Sequence, residues 1–296
     1  AFSNSPPHLE NMVNARFEWI GVGVVNSGGR MWVTEEFMDG APPPWRAPDP
    51  GPPPPPIDFV AMLGRSSAAN PNGGYYVLGA KGKVMAHGGA PDYGSPSFSF
   101  DIARDIAVMP DGKGYAVLDG WGGVHLFGSA VTKLANLPMA YWPGWDIANS
   151  IAISPSGRGF AVLDGWGTVH AGGDAPAITP AYWQGWDIAR SLAISPDGKG
   201  VYVLDGWGGV HVGGSAVGRG SSGYWRGWDI ARDLVVTPSN GGYAVLDGLG
   251  GIHRRGDAPA PSVSAWGQAI DQWSALSWRG TSHYRVTSLY ARSADS

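Results

Sequence analysis

One unit recurs along this 296-residue chain and limits what it can fold into. Each copy opens with Asp-Ile-Ala and continues through an apolar run of the Ile-Ala-Ile type. It then turns at Pro-x-Gly and ends in Tyr-Ala-Val-Leu-Asp-Gly-Trp-Gly-Gly-Val-His. The copies begin at Asp101, Asp146, Asp187 and Asp229, steps of 45, 41 and 42 residues. A fainter copy precedes them, with Tyr75-Tyr76-Val77-Leu78-Gly79 where the next has Tyr115-Ala116-Val117-Leu118-Asp119. A strand-rich period near forty predicts a β-propeller, in which each repeat is one blade.

The expected architecture is therefore all-β. Five blades fall at about 58–100, 101–145, 146–186, 187–228 and 229–268, together forming a domain over 57–296. The tail, 269–296, adds two strand-like runs, Trp273 to Trp278 and Tyr284 to Tyr290. It is expected to complete the first blade and close the ring, which removes sheet edges. Pairing with the N-terminal hairpin instead would make six blades.

Glycine (47) and proline (25) are abundant, but most glycines keep fixed places in the repeat and read as turns. The net charge is −4, so there is no basic excess for phosphate contacts and nucleic acid is not expected as a partner. Cysteine is absent, which excludes disulfides and thiolate metal sites. No run of about eighteen apolar residues occurs, so no membrane-spanning helix is expected.

Residues 1–40 differ from the rest. Ser5 to Val13 reads as a Ser/Pro helix start and a short helix. Phe17 to Val25 and Arg30 to Phe37 read as strands joined by the hairpin turn Asn26-Ser27-Gly28-Gly29. This is a small α+β extension. Residues 41–56, with Pro42-Pro43-Pro44 and Pro52 to Pro56, read as a stiff polyproline II linker.

Two resemblances follow from these residues. Ser5-Pro6-x-His8-x-x-Asn11-Met12, Ile20-Gly21-Val22-Gly23-Val24 and Trp32-Val33-Thr34-x-x-Phe37 resemble the C-terminal part of a bacterial CAP domain (cysteine-rich secretory, antigen 5 and pathogenesis-related proteins). Of the two histidines and two acidic residues in that family's cavity, only His8 has a counterpart here. Gly114-Tyr115-Ala116-Val117-Leu118-Asp119-Gly120 and Gly123-Val124-His125-Leu126-Phe127-Gly128-Ser129-Ala130 resemble the Gly-Tyr-Trp-Leu-Val-x-x-Asp-Gly-Gly-Val-Phe-x-Phe-Gly-Asp-Ala repeat of exported actinobacterial-type proteins. They are also similar to NHL-type and tachylectin-like blades. Both resemblances imply a bacterial protein that is secreted, extracellular or at the cell surface.

Four strands per blade are expected, with the fourth of the Asp101 blade between Val131 and Trp142. Strand parity then sends Trp121, Trp166 and Trp207 to one face of the disc. The connections bearing Trp145, Trp186 and Trp228 reach the same face, with Asp101, Asp146, Asp187, Asp229, Arg104, Arg190 and Arg232. Aromatic planes beside Asp and Arg suit sugar rings. The competing reading makes the tryptophans inter-blade wedges and the aspartates turn caps. The arginines form either a charged ring or local turn pairs. His125, His170, His211 and His253 stand on separate blades, too far apart for one metal ion, and are expected to hydrogen-bond instead.

No catalytic elbow, Walker loop, metalloprotease motif or EF-hand spacing occurs, and neither a cofactor nor a metal is expected. The expected function is non-enzymatic binding or adhesion to envelope or extracellular glycans. The alternatives are a homo-oligomeric filament or surface-layer subunit assembled through residues 1–56, and a CAP-type hydrolase using His8.

Overall fold

A computed structural model describes residues 64–221 and 223–260 with their side chains, and four further strands as backbone. The chain divides into two compact units, Ala1–Ile57 and Asp58–Ser296. The helix expected at Ser5–Val13, His8 and the proline-rich segment 41–56 lie outside the described residues.

In the first unit, β1 (Trp19–Ser27) and β2 (Arg30–Met38) pair antiparallel along their full length, from Trp19 opposite Met38 to Ser27 opposite Arg30. Two residues, Gly28 and Gly29, separate these strands in the sequence, the spacing of the hairpin that the sequence predicts.

The second unit is almost wholly β-strand and contains five similar three-stranded antiparallel sheets. The first holds β3 (Gly64–Ala69), β4 (Tyr75–Gly79) and β5 (Val84–His87). The second holds β6 (Ala103–Val108), β7 (Gly114–Asp119) and β8 (Val124–Gly128), followed by a short helix, α1 (Ser129–Leu134). The third is β9 (Ala148–Ile153), β10 (Phe160–Asp164) and β11 (Val169–Gly172). The fourth is β12 (Ala189–Ile194), β13 (Gly200–Asp205) and β14 (Val210–Gly214). The fifth is β15 (Ala231–Val236), β16 (Tyr243–Asp247) and β17 (Ile252–Arg255).

Middle strands are buried along their whole length, as in Phe160-Ala161-Val162-Leu163-Asp164, because neighbouring sheets cover both faces. The period-2 alternation of a strand divides each one between two neighbours. On β7, Tyr115 and Val117 pack with Tyr76, Leu78 and Ile106. Ala116 and Leu118 pack with Ile151, Phe160 and Val162 of the next sheet. The sheets therefore stack face to face in chain order, as in a propeller-like repeat.

The first strands lie side by side in the order β3, β6, β9, β12, β15. Among the described residues, the tail does not add a strand to the first sheet. Instead, β18 (Ser274–Arg279) and β19 (His283–Ser288) form their own hairpin, and β18 lies against both β15 and β3.

A fourth strand was expected in each repeat. Among the described residues, the connections that follow the third strands of the first four sheets contain no fourth strand. Between Val131 and Trp142 the chain completes α1 and then runs without regular structure. Prolines recur in these connections (Pro91 and Pro96, Pro138 and Pro143, Pro176 and Pro180). Proline has no N–H for a ladder and disfavours a regular strand in these three connections, while residues 215–221 hold no proline and are irregular as well. After the third strand, the connections of the second, third and fourth sheets run back to the end that carries the Asp-Gly-Trp turn, where the amides of Trp142, Trp183 and Trp225 donate to the carbonyls of Trp121, Trp166 and Trp207. Among the described residues, no helix is long and apolar enough to cross a membrane.

Candidate functional site

The site is built on the turn between the second and third strands. In Asp119-Gly120-Trp121-Gly122, Asp119 Oδ1 accepts from the amides of Trp121 and Gly123, each at 2.9 Å. Its Oδ2 meets His125 Nε2 at 2.8 Å. The arrangement repeats at Asp164 with His170, Asp205 with His211, and Asp247 with His253. Burial pushes the Asp247 carboxyl upward, but the His253 contact and the amides of Gly251 and Leu249 hold it below the usual carboxylate range. The repeated histidines are thus hydrogen-bonded within their own sheets. Among the described residues, no group of three or more His, Cys, Asp or Glu is arranged to hold a metal.

Each turn is stitched to the next repeat. The carbonyl of Gly120 accepts from the amides of Ile147 and Ala148 at 2.8 and 3.0 Å, and the Trp142 amide donates to the Trp121 carbonyl at 2.7 Å. A Cβ at Gly120 would collide with the Asp146 carboxylate, as it would at Gly165 with Asp187 and at Gly206 with Asp229. Only glycine lets the next repeat's aspartate approach this closely.

Two tryptophans in each connection take different roles. Trp142 is half-buried and sets its ring 4.8 Å from His170 of the next sheet, in T-shaped contact. Trp183 with His211 and Trp225 with His253 repeat this contact, and Phe98 with His125 substitutes for it in the first connection. These rings are wedges. Three residues later the second tryptophan is exposed: Trp145 by 46%, Trp186 by 44% and Trp228 by 54%.

That exposed ring leans on the next turn's tryptophan. Trp145 and Trp166 have centroids 5.2 Å apart at 71°, and Trp186 and Trp207 are 5.0 Å apart at 70°. A tyrosine closes the other side: Tyr182 lies 6.5 Å from Trp166, and Tyr224 lies 6.3 Å from Trp207. Phe100 against Trp121, at 5.8 Å, is the earlier version of the pair. In the last repeat Leu249 occupies the turn position, so the turn supplies no indole for Trp228.

Beside the aromatic row runs a charged chain. The first and second strands of every sheet are bulged at one place: Arg65, Arg104, Asn149, Arg190 and Arg232 are the extra residues. A bulge re-aims the side chain it carries. Arg104 reaches Asp101 of its own repeat at 3.4 Å and Asp146 of the next through Nε at 3.0 Å. Arg190 joins Asp187 at 3.0 Å to Asp229 at 3.1 Å, and Arg65 Nε reaches Asp101 at 3.0 Å. Asn149 keeps the pattern without charge and donates to Asp187 at 2.9 Å. Arg232 bonds Asp229, but its buried Nε has no partner among the described residues.

One turn deeper lies a polar belt. Asp105 accepts from Ser66 Oγ at 2.6 Å, Ser150 Oγ at 2.8 Å and the amides of Ile106 and Ile151, tying three consecutive sheets together. Asp233 accepts in the same way from Ser191 at 2.6 Å. Burial pushes the Asp105 carboxyl above the usual range despite these donors.

All thirteen rim residues singled out in the sequence therefore lie along one edge of the second unit. Their roles differ: the turn tryptophans are half-buried supports and the connection tryptophans are exposed. Sequence reasoning missed Arg65 and Phe100 in the faint first copy. Alignment of Phe100-Asp101 with Trp145-Asp146 would have found the second of these. No protein-family model matches the chain, and no curated protein matches it.

Proposed function

We propose that the second unit is a closed β-propeller that acts as a non-enzymatic, exported binding module for glycans of a cell envelope or extracellular matrix. The observation that carries the reading is the exposed aromatic row. Trp145, Trp186 and Trp228, with Tyr141, Tyr182 and Tyr224, are each 44–55% exposed on one rim. A ring that served only packing would be covered, as the wedge tryptophans largely are. An exposed row of large aromatics on one edge marks an interaction surface. Indole and phenol rings present flat apolar faces with polar edges, the shape complementary to a pyranose ring.

Closure is supported by β18, which fills the place between β15 and β3. An exported setting is supported by the repeat's resemblance to those of exported proteins. Titration with oligosaccharides, followed by tryptophan fluorescence, tests the reading. Binding should be saturable, and Trp186→Ala should weaken it about tenfold, the equivalent of roughly 1.4 kcal/mol. Absence of any response to peptidoglycan, chitin or plant and bacterial polysaccharide fragments at millimolar concentration would overturn it.

A second reading, self-assembly through residues 1–56, has the β1–β2 hairpin in its favour. Nine-residue strands paired only to each other, among the described residues, present backbone edges that invite a further strand. Light scattering at rising concentration tests it, and a strictly monomeric chain would refute it.

A further inference from the structure

The rim does more than expose rings: it repeats one surface with little change. In the Trp145–Trp166–Tyr182 group the two contacts are 5.2 Å at 71° and 6.5 Å at 67°. In the Trp186–Trp207–Tyr224 group they are 5.0 Å at 70° and 6.3 Å at 76°. Both groups stand on the same Asp-Gly-Trp-Gly turn, fixed by the same hydrogen bonds to Asp164 and Asp205. Equal scaffolds carrying equal rings present equal subsites.

The Arg–Asp row beside these rings is paired along its length, and the one exposed cation next to them without an ion pair among the described residues is Arg226, between Trp225 and Trp228. Each exposed tryptophan is followed at once by an aspartate, yet none of those carboxylates is spare. Asp146 is held by Arg104. Asp187 is held by Arg190 and Asn149, and Asp229 by Arg190 and Arg232. The four arginines and four aspartates of this row cancel. Along the row an anionic polymer would have to compete for guanidinium groups already engaged, and a cationic one for engaged carboxylates. A neutral, hydroxyl-rich ligand meets the aromatic faces with no such competition.

The series also has a visible end. The fifth turn keeps its backbone, with the Leu249 amide donating to Asp247 Oδ1 at 2.8 Å, but it lacks the indole. Trp228 is accordingly more exposed than Trp145 or Trp186 (54% against 46% and 44%).

We infer that the rim is a short series of equivalent subsites for an uncharged sugar polymer, complete at Trp145–Trp166–Tyr182 and Trp186–Trp207–Tyr224, and that Leu249 ends the series. The inference rests on the glycan-binding reading above and narrows its ligand class. Single subsites of this kind bind weakly, and linking them through one chain raises affinity by about 10²–10⁴. A long neutral polymer is therefore held far more tightly than its disaccharide.

The test uses the full chain and three disaccharides: neutral N,N′-diacetylchitobiose, its cationic deacetylated form, and anionic digalacturonate. Tryptophan indole N–H signals are followed by NMR. The expected result is that Trp145 and Trp186 shift with a common affinity for the neutral sugar, and that both charged sugars bind at least tenfold more weakly. Trp145→Ala should silence its own group and leave the other. Leu249→Trp should add a responding group at Trp228. Equal binding of a charged disaccharide overturns the neutral ligand class while leaving glycan binding intact. Response from one group alone overturns the series. Silence towards all three sugars overturns this inference, and with it glycan binding through these rings. Trp145 is exposed, so its alanine variant keeps the test valid even where Leu249→Trp fails to fold.

Discussion

Asp105 shows what a single residue does in this molecule. Solvent reaches part of it, yet the protein packed around its carboxyl withdraws enough water to raise its pKa above the unfolded value of 3.8, against four hydrogen bonds. The sign of the consequence is fixed by linkage. A raised acid binds more protons folded than unfolded between the two pKa values, so its contribution to stability declines as pH rises through that window. Replacing it with asparagine should flatten that part of the pH–stability curve. Urea midpoints measured from pH 4 to pH 8 for both proteins check this, and an unchanged slope would contradict it. Gly206 offers a second test. Alanine there drives a methyl group into the Asp229 carboxylate and should cost about 1–3 kcal/mol by denaturant unfolding. At Gly227 no atom lies near a new Cβ, and alanine should cost only the roughly 1 kcal/mol of its left-handed backbone. At this scale the sequence showed which residues recur but not whom they touch. The spacing of Asp101 and Arg104 suggests a local pair, whereas the bulge that sends Arg104 on to Asp146 leaves no mark in composition or period.

Elements behave less uniformly than their sequences imply. The middle strands were legible because an apolar run such as Val201-Tyr202-Val203-Leu204 between turn residues can only be a covered strand. The connections were not, since they carry no period, and a fourth strand was expected where the described chain is irregular. Their two tryptophans looked equivalent in sequence, and only packing separates wedge from exposed ring. That separation is testable. Trp183→Ala removes a ring packed on His211 and Ile178's neighbourhood in the core and should destabilise the fold by about 3 kcal/mol. Trp186→Ala should change stability by well under 1 kcal/mol, roughly what surface substitutions do, while weakening ligand binding. Thermal melts beside fluorescence titrations distinguish the two, and equal effects on both quantities would refute the division of labour.

Over the whole molecule, the repeat was easy to read and its ends were not. The faint first copy has Gly79 where later copies have the turn aspartate, and the tail keeps none of the Tyr-Ala-Val-Leu-Asp signature. That is why β18–β19 was expected to finish the first sheet, when it stands as a hairpin beside both β3 and β15. Without that hairpin, the exposed sides of β3 and β15 would lose their cover. Truncation after residue 268 should therefore lower the unfolding midpoint, broaden the transition and promote aggregation, as calorimetry and light scattering would record. A sharp, unshifted transition would show the tail to be dispensable.

The stitching at Gly120, Gly165 and Gly206 reaches further than stability. Every joint offers one carbonyl to the same two amides of whatever unit follows, so the parts are interchangeable in manufacture. A gene that copied or dropped one whole unit would still encode sound seams, and natural variation in unit number would lengthen or shorten the ligand-reading edge without redesigning it.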